Sequence, residues 1–140
     1  MILLSRDFLS YALDRISGAD GHYTAFRLAF CFGTDPRNAA GPPTSAVLAQ
    51  FDFSSPWAEK GDGIYVYKLG PISTTVTASG FASYWRLVGL HGATWSTVVH
   101  GSIGLVGSGA DIKVRTLEWV LGDPLTLEGI LIFPLKLTYS

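Results

Sequence analysis

The strongest constraint in this sequence is a change of hydrophobic period just after Gly21. In Tyr23-Thr24-Ala25-Phe26-Arg27-Leu28-Ala29-Phe30-Cys31-Phe32, the large residues Phe26, Leu28, Phe30 and Phe32 share one face, while Arg27 and the small Ala25, Ala29 and Cys31 share the other. Side chains alternate across a strand, so this pattern predicts a strand with one face in a core. Further segments of the same kind follow at residues 45–53, 63–69, 72–78, 82–88, 95–101 and 111–120. A last one, 125–138, should break near Gly129 or Pro134. Turn formers punctuate them: Ser54-Ser55-Pro56, Gly61-Asp62-Gly63, Gly70-Pro71, Ser79-Gly80, His91-Gly92, Gly107-Ser108-Gly109 and Gly122-Asp123-Pro124. Short strands with turns every roughly 8–12 residues predict a mainly β, antiparallel, jelly-roll-like sandwich. No helical pattern separates the strands, which argues against a parallel α/β sheet.

Before the switch, Phe8, Leu9, Ala12, Leu13 and Ile16 follow one helical face. Ser5 suits the N-cap, Asp7 the first turn and Gly18 the C-cap, so a helix is expected over residues 5–17. A helix of about three turns is not stable alone and must dock on the sheet. With 140 residues, no composition shift and no internal repeat, residues 1–140 read as one domain.

Only 15% of the residues are charged against 48% hydrophobic, well below the roughly 25% charge of an average soluble domain. A chain this apolar is expected to bury part of its surface against partners. Net charge is −1 and the ten basic residues are scattered with no two adjacent, so no nucleic-acid or anionic-membrane partner is expected. No apolar run is long enough to span a bilayer. Met1-Ile2-Leu3-Leu4 lacks a basic n-region and meets charge at Arg6 and Asp7, so no signal peptide is expected.

A search for chemistry returns little. The lone Cys31 rules out an intrachain disulfide and a cysteine-based metal framework, and its apolar neighbours make it a core residue. His22, His91 and His100 have no ligand-pair spacing, so neither metal nor cofactor is expected. The eleven carboxylates mostly sit beside turn residues, as Asp62 and Asp123 do, and no catalytic residue is assigned. Residues 101–109 look superficially like a phosphate loop, but an alternating strand follows where a helix N-terminus would be needed. Tyr84, Trp85 and Trp119 read as core area. Tyr65 and Tyr67 alternate on one strand face and suit a subunit interface, with a sugar-stacking platform as the alternative. Trp57, beside Pro56, is expected to be an exposed interface anchor.

Several segments then carry a likeness. They are the helix, the strand and loop Phe26-Arg27-Leu28-Ala29-Phe30-Cys31-Phe32-Gly33-Thr34-Asp35-Pro36, and Val47-Leu48-Ala49-Gln50-Phe51-Asp52-Phe53. Further along come Ala82-Ser83-Tyr84-Trp85-Arg86-Leu87-Val88, His100-Gly101-Ser102-Ile103-Gly104 and Ser108-Gly109-Ala110-Asp111-Ile112. In this order they resemble a family of small structural proteins of tailed-phage virions, some of which are capsid cement (decoration) proteins. The resemblance spans nearly the whole chain, but its motifs are structural punctuation. It implies a non-enzymatic protein on the outside of the phage head, made in the bacterial host cytoplasm, with the major capsid protein as partner and with self-association. Contacts are expected from the helix with Phe8, the loop Arg37 to Pro43 with Pro42 and Pro43, Trp57, Tyr65 and Tyr67. The chain departs from the family in a longer Trp95 region and a more apolar tail, residues 129–140, which is a candidate for pairing with another copy. The alternatives are a tail, baseplate or fibre-connector protein, and a carbohydrate-binding module or small hydrolase.

Overall fold

The computed structural model describes residues 6–33, 47–63, 65–109 and 112–132. Among these residues the fold is mainly β, with one short helix and a curled multi-strand sheet consistent with a sandwich. Helix α1 covers Arg6–Ser17 and ends where expected: Gly18 takes φ +91° and donates its N–H to the Asp14 carbonyl. A positive φ at this C-terminal position is the ordinary helix stop for glycine.

Among the described residues ten strands follow: β1 (Ala25–Cys31), β2 (Val47–Ser54), β3 (Glu59–Gly61), β4 (Tyr65–Thr75), β5 (Gly80–Phe81), β6 (Tyr84–His91), β7 (Thr94–Leu105), β8 (Ile112–Val114), β9 (Glu118–Trp119) and β10 (Pro124–Ile132). They form a large sheet in the order β2-β1-β6-β7-β8, a small sheet β10-β4-β3, and a ribbon β5-β9. Among the described residues every pairing is antiparallel except β7 with β8, where Ile103, Gly104 and Leu105 lie beside Ile112, Lys113 and Val114.

The core comes from alternation. Register brings Phe26, Leu28 and Phe30 of β1 beside Phe53, Phe51 and Ala49 of β2, and beside Gly89, Leu87 and Trp85 of β6. Facing them are Val66 from β4 and Leu125, Leu127, Ile130 and Ile132 from β10, with Trp119 against Phe30 at 5.5 Å. Each large side chain so buried contributes about 1.5–3 kcal/mol. Cys31, Tyr84, Trp85 and Trp119 are buried, as expected.

Four sequence expectations change. Phe32 lies beyond the end of β1 and is exposed. Gly70-Pro71 is not a turn but the middle of β4, set against a bulge in β10 between Leu127 and Gly129; proline is tolerated in a strand at such irregularities. Residues 112–120 are two short strands rather than one. Trp57 is not an exposed anchor but is 3% exposed, within the core between Phe26 and Phe53. The physical reason is its polar edge: Nε1–H donates to the Ile16 carbonyl at 2.8 Å, which satisfies a helix-end acceptor from inside.

The two sheets meet unequally along their two sides. On one side the Leu48 carbonyl accepts from the backbone N–H of Thr77 (2.8 Å) and Ala78 (3.4 Å), and Thr74 Oγ1 donates to the Gln50 carbonyl (2.9 Å). On the other, no backbone hydrogen bond among the described residues joins β8 to β10. Among the described residues, backbone hydrogen bonds thus stitch the sandwich at one side only.

Candidate interaction surface

The small sheet presents its outer face through odd-numbered residues of β4. Register sets Leu131 of β10 beside Tyr67, and Tyr67 beside Glu59 of β3, while Gly129 sits beside Leu69. Tyr65 covers Gly61, where a Cβ would overlap its ring. Leu69 is 80% exposed, and Leu131 is exposed as well. Tyr67 donates its hydroxyl to Glu59 Oε2 at 2.7 Å, and that bond to a carboxylate raises the phenol's pKa. The result is an apolar and aromatic surface with the Glu59 carboxylate at its side.

The two tyrosines share this face, as alternation predicted. Their ring centroids are 5.9 Å apart with planes tilted by 53°, so they make no flat platform for consecutive sugar rings. Phe8 is 58% exposed on α1, one turn from exposed Tyr11. Arg37, Pro42 and Pro43 lie outside the described residues. Phe8 and the tyrosine face are on different elements, and Trp57 belongs to the core beneath them.

Sequence reasoning missed Leu69 and Leu131, although their parity with Tyr67 along and across the strands was a usable signal. It also missed a second apolar group around the β5–β9 ribbon. Phe81 pairs in register with Glu118, the Leu121 N–H donates to Ser79 Oγ at 2.9 Å, and Phe32 approaches Gly80. Phe32, Phe81, Val120 and Leu121 are all exposed there. Exposed apolar residues gathered on one surface commonly mark interaction sites.

The outer face of the large sheet is different in character. Arg86 on β6 is 1% exposed, flanked in register by Ala29 and His100, and its Nη1–H donates to Thr97 Oγ1 at 3.2 Å. Nearby, Arg27 bonds Asp52 at 3.1 Å and its guanidinium lies 4.1 Å from the Trp95 ring centre. A buried guanidinium has to be compensated by hydrogen bonds or charge partners, because taking it out of water is costly.

Between β8 and β10 lies a cavity of about 780 Å³. Val76, Ile112, Val114, Trp119, Leu127 and Ile130 give it an apolar lining, with Lys113, Glu118 and Glu128 at its margins. Among the described residues no group of three or more His, Cys, Asp or Glu side chains could hold a metal ion. No described helix is long and apolar enough to cross a membrane.

Comparison with family models, curated proteins and solved structures returns no match for this chain.

Proposed function

We propose that the chain is a non-enzymatic structural protein of a tailed-phage virion, acting as a cement protein on the outside of the head shell. The observation that carries this reading is the outer face of the small sheet, where exposed Leu69 and Leu131 stand beside half-buried Tyr65 and Tyr67. The order of sequence segments noted above supplies the virion context. A clamp across subunit boundaries needs stiff strands, apolar contact area and more than one contact surface, and the molecule offers a second such surface at Phe81 and Leu121. Such a protein stabilises the assembled shell because it binds only that state. Each contact with the major capsid protein has to bury about 1,000 Å² or more in total, repeated by the symmetry of the shell.

The test is a copy count by quantitative gel of intact particles, followed by addition of purified protein to shells that lack it. Hundreds of copies and recovered heat resistance support the cement reading. A count near six or twelve moves the protein to the tail or baseplate, and absence from particles ends the virion reading.

A further inference from the structure

The small sheet holds four charged residues: Glu59 and Lys60 on β3, Lys68 on β4 and Glu128 on β10. Its two lysines are committed away from the outer face. Lys60 Nζ lies 2.7 Å from Asp14 Oδ1 of α1, and Lys68 Nζ donates to the Trp57 carbonyl at 3.4 Å, close to the Phe53 ring. Its two carboxylates stay on the exposed side. Glu59 stands beside Tyr67 in register, and Glu128 sits in the β10 bulge next to Gly129, which lies beside Leu69. Leu69 is 80% exposed and Leu131 48%. The outer side of this sheet thus combines apolar and aromatic area with negative charge that neither lysine of the sheet answers.

Complementarity decides what can cover such a face. A two-fold contact between copies sets one patch against itself, so each carboxylate would meet a surface that brings no cation of this sheet to pair with it. An arginine among apolar side chains suits the face better. Its guanidinium bonds a carboxylate through two parallel N–H groups and lays its flat side on an aromatic ring. Tyr67 prepares that contact, because its hydroxyl donates to Glu59 Oε2 at 2.7 Å and holds the carboxylate next to the phenol. Rings tilted by 53° cannot stack consecutive sugars, but a guanidinium needs only one ring face and one carboxylate. We infer that the outer face of the small sheet docks a protein surface presenting an arginine flanked by apolar side chains, with Glu59 as the partner of that arginine. The identity of that surface, the major capsid protein, rests on the cement reading. Glu59 then sets specificity and the speed of encounter, while Leu69 and Leu131 supply buried apolar area.

The test measures binding of the full chain to shells that lack it, at about 50 mM and about 500 mM salt, where exposed charges are weakly and strongly screened. Wild-type affinity is expected to fall as salt rises. Glu59→Gln keeps an oxygen for the Tyr67 hydroxyl but removes the charge. It is expected to weaken binding about threefold to tenfold at the lower salt and to flatten the salt dependence. Glu59→Lys is expected to weaken it further. Asp52→Asn removes the same charge from the outer face of the large sheet and is expected to bind as the wild type does. Thermal melts of the three variants separate loss of contact from loss of fold. Wild-type binding that ignores salt would overturn the inference, as would equal effects of Glu59→Gln and Asp52→Asn, or unchanged binding by Glu59→Lys. So would a wild type that dimerises in sedimentation and loses the dimer on Glu59→Lys, since the face would then belong to a second copy. A wild type that does not bind shells ends the cement reading and this inference together, whereas binding that ignores Glu59 ends the inference alone.

Discussion

The indole N–H of Trp57 donates to the carbonyl of Ile16 at 2.8 Å, while the backbone N–H of Trp57 donates to the carbonyl of Ser17 at 3.0 Å. One residue thereby satisfies two acceptors at the end of α1 and fixes the helix to the sheet. Trp57→Phe keeps most of the buried area and is expected to cost about 1 kcal/mol. Trp57→Ala also opens a cavity and is expected to cost about 3–5 kcal/mol. Urea unfolding of both checks this; an alanine variant within about 1 kcal/mol of wild type would mean that the helix is not anchored this way.

Gly70 stands where a side chain has no room, since a Cβ there would overlap the Glu128 carbonyl across the bulge. Gly70→Ala is expected to destabilise by about 1–3 kcal/mol through backbone displacement. Gly109, with nothing near its missing Cβ, is the control: Gly109→Ala should stay within about 0.5 kcal/mol. Thermal melts of the two variants side by side give the answer.

Leu69 and Leu131 contribute to a surface and not to the core. Leu69→Asp is expected to leave the melting temperature nearly unchanged while weakening binding to the shell at least tenfold. If binding to cement-free shells is unaltered, this face is not the contact.

His22 stacks on His91 with ring centres 4.1 Å apart and planes within 4°. Desolvation lowers the His22 pKa, with Arg15 and His91 adding to the effect and Asp20 opposing it. The unfolded chain therefore binds a proton more readily than the folded one. Stability is full above the ordinary value of about 6.5 and declines as pH falls through and below it. An imidazole titration by NMR should place His22 below that value, and His22→Gln should flatten the acid side of the stability profile. A His22 that titrates at or above the ordinary value would contradict this.

The parts of the fold legible in the sequence were those written in local pattern. β1 and α1 announce themselves by period, and Gly18 by its place after the last helical residue. Strands of two or three residues, such as β3, β5 and β9, are too short to display any period. Trp57 was misread because its burial is decided by Ile16, 41 positions away, whereas the adjacent Pro56 suggests a loop. Gly70-Pro71 reads as a turn in isolation; only the bulge opposite, on β10, makes room for it inside a strand. At the candidate surface Tyr65 and Tyr67 were visible by alternation, and Leu69, of the same parity in the same expected strand, was legible too, whereas Leu131 joins them only through the β4–β10 register. The cavity could not be foreseen, since it depends on the order of strands in the two sheets.

Leu48 gives the molecule a spine. Its carbonyl receives the N–H groups of Thr77 and Ala78 and the hydroxyl of Thr77 at 3.2 Å, so one short stretch of β2 holds the two leaves together. The joint lies outside both ladders, so amide exchange at Thr77 and Ala78 should report on contact between the leaves separately from exchange within either sheet.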